Sequence, residues 1–321
     1  MREMASKLSI GDLQSDLFDA AAEGNIEVLG EDYIAKYGKD EVLSFKTPDT
    51  SNTIVLIAVR YGHSAFIEKA ISLSPDLLRQ KNNNGNTPLH EAAQWGTKET
   101  VKLLISHLEK SNSGSSNSSS NNFLEVNCDG DTPFHAALRS RNMAVAEELF
   151  SYVKDHPDIL LMKSNLRKQT PLHLYVQYCA GVSESQYIEY DDYGDVAFKQ
   201  TLFFQLMKAN FLAIYELDSE SLSPLMRAAQ LGRVLVVSML LRYRQAIECR
   251  DSKGRSFLHY LRLGMNDLNA KDRNYTVNVC KMILEHPGVD ILICSRDQDG
   301  NTPLHLAILD KDLDLARLIS E

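Results

Sequence analysis

Tryptophan occurs once in the 321 residues, at Trp95, and cysteine only five times. Cys128, Cys179, Cys249, Cys280 and Cys294 stand far apart, with no Cys-x-x-Cys pair among them. An odd, scattered set supplies neither a disulfide framework nor a four-thiolate zinc site, so reduced thiols in a cytosolic setting are expected. Apolar runs are short, and none approaches the ~18 residues that a membrane-spanning helix needs. Met1 to Leu13 carries charges throughout, where a secretory signal would have an apolar stretch. The chain is therefore expected neither to enter nor to cross a membrane. Basic residues are outnumbered, 34 to 43, leaving a net charge of −9. With no Lys/Arg-rich run to follow a phosphate backbone, nucleic-acid binding is not expected. A Gly-rich phosphate loop, a GxSxG elbow and an HExxH helix are all missing, so no reaction is nominated. The chain reads as a non-enzyme without a cofactor.

What the sequence does have is a globular composition, 44% hydrophobic and 24% charged, which suffices for a packed core. It also has a recurring phrase. Gly85-Asn-Thr-Pro-Leu-His90, Gly130-Asp-Thr-Pro-Phe-His135, Gln169-Thr-Pro-Leu-His173 and Gly300-Asn-Thr-Pro-Leu-His305 are near copies. Ser223-Pro-Leu-Met226 and Gly254-Arg-Ser-Phe-Leu-His259 are weaker ones, and Thr53 begins a degenerate copy. The Thr53-to-Thr87 and Ser223-to-Ser256 spacings are 34 and 33 residues, and the other spacings are longer, which implies insertions.

Each part of the phrase has a mechanical role. Thr or Ser caps a helix by accepting a backbone N–H, and the following Pro has no N–H to lose. Leu faces the core, and His is suited to stitching one turn to the next. The preceding Gly, with Asn or Asp about three residues earlier, suits a turn that needs positive φ. Small residues follow, as in Glu91-Ala-Ala93 and Arg227-Ala-Ala229, and these permit close stacking. Second helices are read from Val101, Leu103, Leu104 and Leu108, and from Val234, Val237, Leu240 and Leu241.

Phrase and period together resemble the ankyrin-repeat family. The resemblance implies an all-α ankyrin-repeat solenoid of about eight helix-turn-helix repeats with short finger turns. The expected organisation is an N-terminal tail over 1–11 and a repeat domain over 12–321, opening at Asp16-Leu-Phe-Asp-Ala-Ala-Ala-Glu-Gly24 without the phrase. Flexible insertions are expected near 111–122, which is Ser- and Asn-rich, near 181–195 and near 265–274. The second places Tyr187, Tyr190 and Tyr193 among acidic residues and reads as a solvated loop or as an acidic, aromatic docking or phosphorylation segment. The last repeat stops inside its second helix at Glu321 with no polar capping repeat, so that helix is expected either to be exposed or to mark a cut.

Further details narrow the resemblance. Tyr61-Gly-His63, Ser74-Pro-Asp-Leu-Leu78 and His286-Pro-Gly-Val-Asp-Ile-Leu-Ile293 look like the plant ankyrin-transmembrane proteins of the accelerated-cell-death type. Such proteins place a cytosolic ankyrin stack before a multi-span membrane domain, and several act in defence, cell-death or salt signalling. The resemblance implies a cytosolic protein-binding scaffold in plant defence or stress signalling. The alternative is the cytosolic part, or a truncated relative, of a multi-span membrane signalling protein at the face of a membrane.

His90, His135, His173, His259 and His305 occupy one slot of successive repeats, so they are expected to be structural and not metal ligands. Binding in this architecture uses the finger tips and the exposed side of the first helix, which together make a concave surface. For a protein partner the expected contacts are Asn83, Asn84, Asn86, Gln94 and Trp95; Asp129, Asp131 and Arg139; Arg167, Gln177 and Tyr178; Glu220 and Gln230; Lys253 and Arg255; and Gln298 and Asp299. Trp95 is the expected anchor, because interface hot spots favour Trp, Tyr and Arg.

Overall fold

Each phrase opens a helix, and each helix is followed by a second one running back beside it. The computed structural model describes residues 10–112, 125–155, 157–162, 166–179, 201–263 and 270–321. Residues 113–122 of the insertion expected near 111–122, the insertion expected near 181–195, the stretch 265–269 and most of the N-terminal tail lie outside the described residues, whereas Ser111 and Asn112 complete the helix Lys98–Asn112 instead of opening a loop. Among the described residues the secondary structure is helical, apart from one antiparallel bridge between Lys46 and Thr53.

Where the sequence suggests one continuous domain, the structure divides into two compact units, Met1–Tyr152 and Val153–Glu321. In the first, an inner helix Ile10–Glu23 precedes the short segments Ile26–Leu29, Glu31–Tyr37 and Lys39–Leu43. Three pairs follow: Ile54–Tyr61 with Ser64–Leu73, Pro88–Trp95 with Lys98–Asn112, and Pro133–Arg139 with Met143–Val153. In the second unit the inner helices are Pro171–Leu174, Pro224–Gln230, Phe257–Tyr260 and Pro303–Leu309. Their partners are Leu202–Ala209, Val234–Leu240, Ala270–Leu284 and Leu313–Ser320. The described residues thus contain seven such pairs, preceded by an opening repeat whose second helix is replaced by the three short segments.

Two expectations are corrected. The first helix begins at Ile10, ahead of the expected domain start at 12, and residues 270–274 open the Ala270–Leu284 helix instead of continuing a loop. The inner helices of the fifth and seventh repeats are also shorter than the phrase suggests. Pro171–Leu174 passes into a π-helical turn, Tyr175–Cys179, and Phe257–Tyr260 gives way to extended chain at Leu261.

The caps are the expected ones. Thr53, Thr132, Thr170, Ser223 and Thr302 each accept a backbone N–H three residues on. Between neighbouring inner helices the buried residues are small, with Ala92, Ala93, Ala136, Ala137, Ala228 and Ala229 almost without exposure. Larger side chains close the core toward the outer helices. Leu89, Leu104, Phe134 and Leu149 do so in the first unit, and Leu225, Val237, Phe257 and Ile283 in the second. Removing each such side chain from water is worth about 1.5–3 kcal/mol.

The histidine slot is a stitch. At each of the five positions Nδ1 faces the capping hydroxyl and accepts the capping residue's backbone N–H. With Nδ1 an acceptor, the proton sits on Nε2, which donates forward to a carbonyl: His90 to Asp131 at 2.9 Å, His173 to Leu222 at 3.0 Å and His259 to Asn301 at 3.3 Å. Burial pushes the pKa of His90 down to about 4 and lowers that of His259.

The sign of the consequence follows. Between pH ~6.5 and the folded value near 4, the unfolded chain binds a proton at residue 90 that the native chain does not. The stabilisation is present above ~6.5 and falls as the pH drops through this window, by about 3 kcal/mol once complete. Urea unfolding at a series of pH values should show this decline, and His90→Leu should flatten it in the first unit. An undiminished slope in the variant would assign the effect to other groups.

Candidate functional site

The finger turns are built from one five-residue unit, repeated. Asn82, Asn127, Asp218, Asp251 and Asp297 each stand first in a turn. The Oδ1 of each accepts the backbone N–H groups of the third and fifth residues at 2.7–3.0 Å. The N–H of each first residue closes the turn by donating to the carbonyl of the fifth. The fourth residue is left-handed throughout: Gly85, Gly130, Ser221, Gly254 and Gly300. The second and third residues are left to point outward.

Successive turns pair through single backbone bonds. In the first unit Asn83 N–H donates to Thr50 and Cys128 N–H to Asn84; in the second, Ser219 N–H donates to Arg167 and Gln298 N–H to Lys253.

This geometry sorts the expected contact residues. Asn83, Asn84, Arg167, Glu220, Lys253, Gln298 and Asp299 are exposed at turn tips, and Asp129 is half-buried there. Gln230 and Trp95 are exposed at the ends of inner helices, with Gln94 and Arg139 half-exposed in the same region. Gln177 and Tyr178 lie half-buried on the π-helical turn, where the Gln177 side-chain Oε1 accepts from Gln169 Nε2 at 2.6 Å.

Two expected contacts are corrected, because both are buried and committed to the stack. Asn86 donates to Glu91 at 3.1 Å and accepts from Asn127 at 2.9 Å. Asp131 accepts two bonds from Arg139, at 2.7 and 3.0 Å. Arg255 is similarly engaged, with Asp297 at 2.8 Å and Asp299 at 3.6 Å.

Several polar residues that set the site were not singled out from sequence. The buried Glu91 carboxylate gathers Arg60 at 3.0 Å, Asn82 at 3.2 Å and Asn86. In the second unit the buried Asp218 carboxylate holds Arg227, which also reaches Glu220 at 3.2 Å and Gln230 at 2.9 Å. The only signal available was that both Glu91 and Arg227 sit three residues after Pro, on a face that otherwise carries alanine.

The strongest feature of the first unit surrounds the lone tryptophan. Trp95 is 61% exposed, and the Arg60 guanidinium lies 5.9 Å from its ring centroid. Arg60 comes from the preceding inner helix, so one cation is pinned between the buried Glu91 and the open indole face. Tyr61, 55% exposed, sits beside Arg60 in sequence at the position Trp95 takes one repeat later. Such a cation–aromatic pair contributes about 0.5–1 kcal/mol at an exposed site. It also presents an aromatic surface already held in place.

Among the described residues no cluster of His, Cys, Asp or Glu could hold a metal ion, and no helix is long and apolar enough to cross a membrane. Comparison with known proteins agrees with the turn geometry. Residues 17–115 match the model for ankyrin repeats in three copies, and residues 299–320 match the single ankyrin repeat.

The chain carries ankyrin repeats.

Two longer proteins are similar to much of the chain. It is 24% identical over 265 residues to protein ACCELERATED CELL DEATH 6 of Arabidopsis thaliana, covering 81% of this chain and 36% of that protein. It is 26% identical over 235 residues to the transient receptor potential cation channel subfamily A member 1 of Drosophila melanogaster, covering 73% of this chain and 16% of the channel. The chain therefore spans only a minor part of each. Among solved structures, the ankyrin repeat domain of Bcl-3 superposes with a TM-score of 0.54 at 18% identity, over 83% of this chain and 97% of that one. That likeness concerns the fold alone. Ankyrin repeats are a protein-interaction architecture.

Proposed function

We propose that this chain is a non-catalytic scaffold that binds a protein partner on the turn tips and exposed inner-helix ends of its ankyrin repeats. The observation that carries the reading is the Trp95 indole, open to solvent on one side and held by the Arg60–Glu91 pair on the other. An aromatic side chain fixed before binding loses little conformational entropy on association, which is the property of a hot-spot anchor. The turn residues Asn83, Asn84 and Asp129 supply adaptable polar contacts in the same unit. Arg167, Gln177, Tyr178, Glu220, Gln230, Lys253, Gln298 and Asp299 are the corresponding positions of the second unit.

The test compares affinity capture by the native chain with capture by a Tyr61→Ala/Trp95→Ala variant. Binding of the principal partner should fall by about 2 kcal/mol or more, a factor of roughly 30. The thermal midpoint should stay almost constant, because neither ring is buried in the core. Capture of the same proteins at the same level by both forms would sink this assignment.

The similarity to ACCELERATED CELL DEATH 6 over 81% of the chain supports a setting in plant defence or stress signalling, in the cytoplasm. The relatives' greater lengths favour a second reading, in which this stack is the cytosolic part of a multi-span membrane signalling protein. Detergent-dependent extraction of the native protein, followed with an antibody to the repeats, separates the two. Recovery in the soluble fraction supports the first, and recovery only with detergent supports the second.

A further inference from the structure

In the second unit, away from the turn tips, a groove of about 510 Å³ opens between the far ends of the sixth and seventh repeats. One wall is the short helix Arg244–Glu248 with the residues flanking it. The other is His286-Pro-Gly288 and the short helix Asp290–Ile293. The floor is apolar, made by Leu241, Ile247 and Leu292, all buried. Ile291 stands in the lining at 75% exposure.

The rim is cationic. Arg242, Arg244 and Arg250 line the groove against one carboxylate, Glu248, in a chain whose net charge is −9. The Arg244–Glu248 pair is a loose one, 3.6 Å apart with the Arg244 side chain 92% exposed, so it offers little resistance to a competing carboxylate. Arg250 is held in place by bonds from one guanidinium nitrogen to the carbonyls of Ile247 and Cys249, at 3.0 and 2.8 Å. The second wall is fixed as well, because the His286 ring Nδ1 donates to the carbonyl of Pro287 at 3.0 Å.

We propose that this groove binds a short acidic peptide segment of a partner protein, with an apolar side chain on the Leu241–Ile247–Leu292 floor and carboxylates on the arginine rim. The volume lies in the range of ligand pockets, about 300–1,000 Å³, and suits a peptide segment better than a folded domain. Guanidinium groups pair with carboxylates through two parallel bonds, which gives the rim its selectivity. The lining holds no Trp, Tyr or Phe on which a nucleic-acid base could stack, and its one imidazole, His286, is bonded to the Pro287 carbonyl. The site is independent of the Trp95 surface and uses His286-Pro-Gly288, which the turn-tip reading leaves without a role.

The probe is a fluorescein-labelled peptide, Asp-Glu-Leu-Glu-Leu, titrated with the full chain and followed by anisotropy. Saturable binding is expected, weakening with added salt, with at least a tenfold loss in Arg242→Glu/Arg244→Glu and a comparable loss in Ile291→Asp. Thermal midpoints of the variants are measured alongside, and loss of binding counts only for variants that remain folded. The charge-reversed variant should gain binding to Lys-Lys-Leu-Lys-Leu, a rescue that a structural role for the arginines would not produce. The proposal is overturned by no saturable binding, by equal binding in the variants, or by full affinity for Asp-Glu-Ala-Glu-Ala. Complete displacement by inorganic phosphate would likewise overturn it in favour of a simple anion site.

Discussion

Replacing Asp218 with alanine should lower the unfolding free energy of the second unit by about 3–5 kcal/mol. Its side chain is wholly buried and does two jobs. One oxygen accepts the N–H groups of Glu220 and Leu222 at 2.9 and 3.0 Å, and the other holds the Arg227 guanidinium. Alanine would leave a buried cation without its nearest counter-charge and two amides without an acceptor. For a unit whose total stability is on the order of 5–15 kcal/mol, that loss should appear as a large fall in thermal midpoint. The two jobs can be separated, because Asn82 and Asn127 build the same turn with an amide side chain. Asp218→Asn should therefore keep the turn and lose only the ion pair. Combining it with Arg227→Met should recover about 1–3 kcal/mol of the loss through the coupling of the two sites. A cost below about 1 kcal/mol for Asp218→Ala would refute the claim that this pair is held in a dry interior.

A second large effect is expected at one turn glycine and a smaller effect at another of the same conformation. Gly85 and Gly254 both have positive φ, +71° and +75°. An alanine in that region costs about 1–2 kcal/mol on backbone grounds alone. At Gly254 a new Cβ would meet nothing within 4 Å. At Gly85 it would lie 2.9 Å from the backbone nitrogen of Cys128 and 3.1 Å from its sulfur, closer than the two turns can tolerate. That nitrogen donates to Asn84, so relief of the clash sacrifices the bond joining the two turns. Gly85→Ala should cost about 3 kcal/mol or more, against about 1–2 for Gly254→Ala. Urea unfolding of the two variants decides it, and equal losses would mean that the close approach at Gly85 is not energetically significant. Ser221, at φ +62° in the equivalent turn, shows that the conformation itself is tolerated without glycine.

Much of the architecture was legible because the ankyrin phrase is mechanical. The Thr or Ser cap, the Pro and the left-handed glycine each act within a few residues, and the histidine joins its own cap to the next turn, as at His90, His173 and His259. The irregular inner helices were not legible. Tyr175–Cys179 widens into a π turn, and Phe257–Tyr260 stops early. In the second case the Arg262 N–H donates to Ala229 of the preceding repeat, and Leu263 N–H to the carboxylate of Asp312. Those bonds depend on residues 33 and 49 positions away, beyond the reach of local pattern. The surface was read in part. Turn tips follow from turn geometry, but Asn86 and Asp131 occupy turn positions and are buried all the same, because the fifth residue faces the stack. Nothing local announced that Glu91 would be a buried hub, since a glutamate in a short helix usually faces solvent.

The division within the five-residue turn has a consequence for how such a protein changes over generations. Residues one, four and five carry the folding bonds, so substitutions there cost stability. The side chains of residues two and three stand at the turn tips and add single contacts there where they bond at all, as Asn83 does to the Asp49 carbonyl, Gln298 to that of Ser252, Glu220 to Arg227 and Asp299 to Arg255. Losing one such surface contact should cost about 1 kcal/mol or less, well below the cost of losing a first, fourth or fifth residue. A lineage can thus acquire a new binding preference by small, individually viable steps, with the stack beneath unaltered at each one.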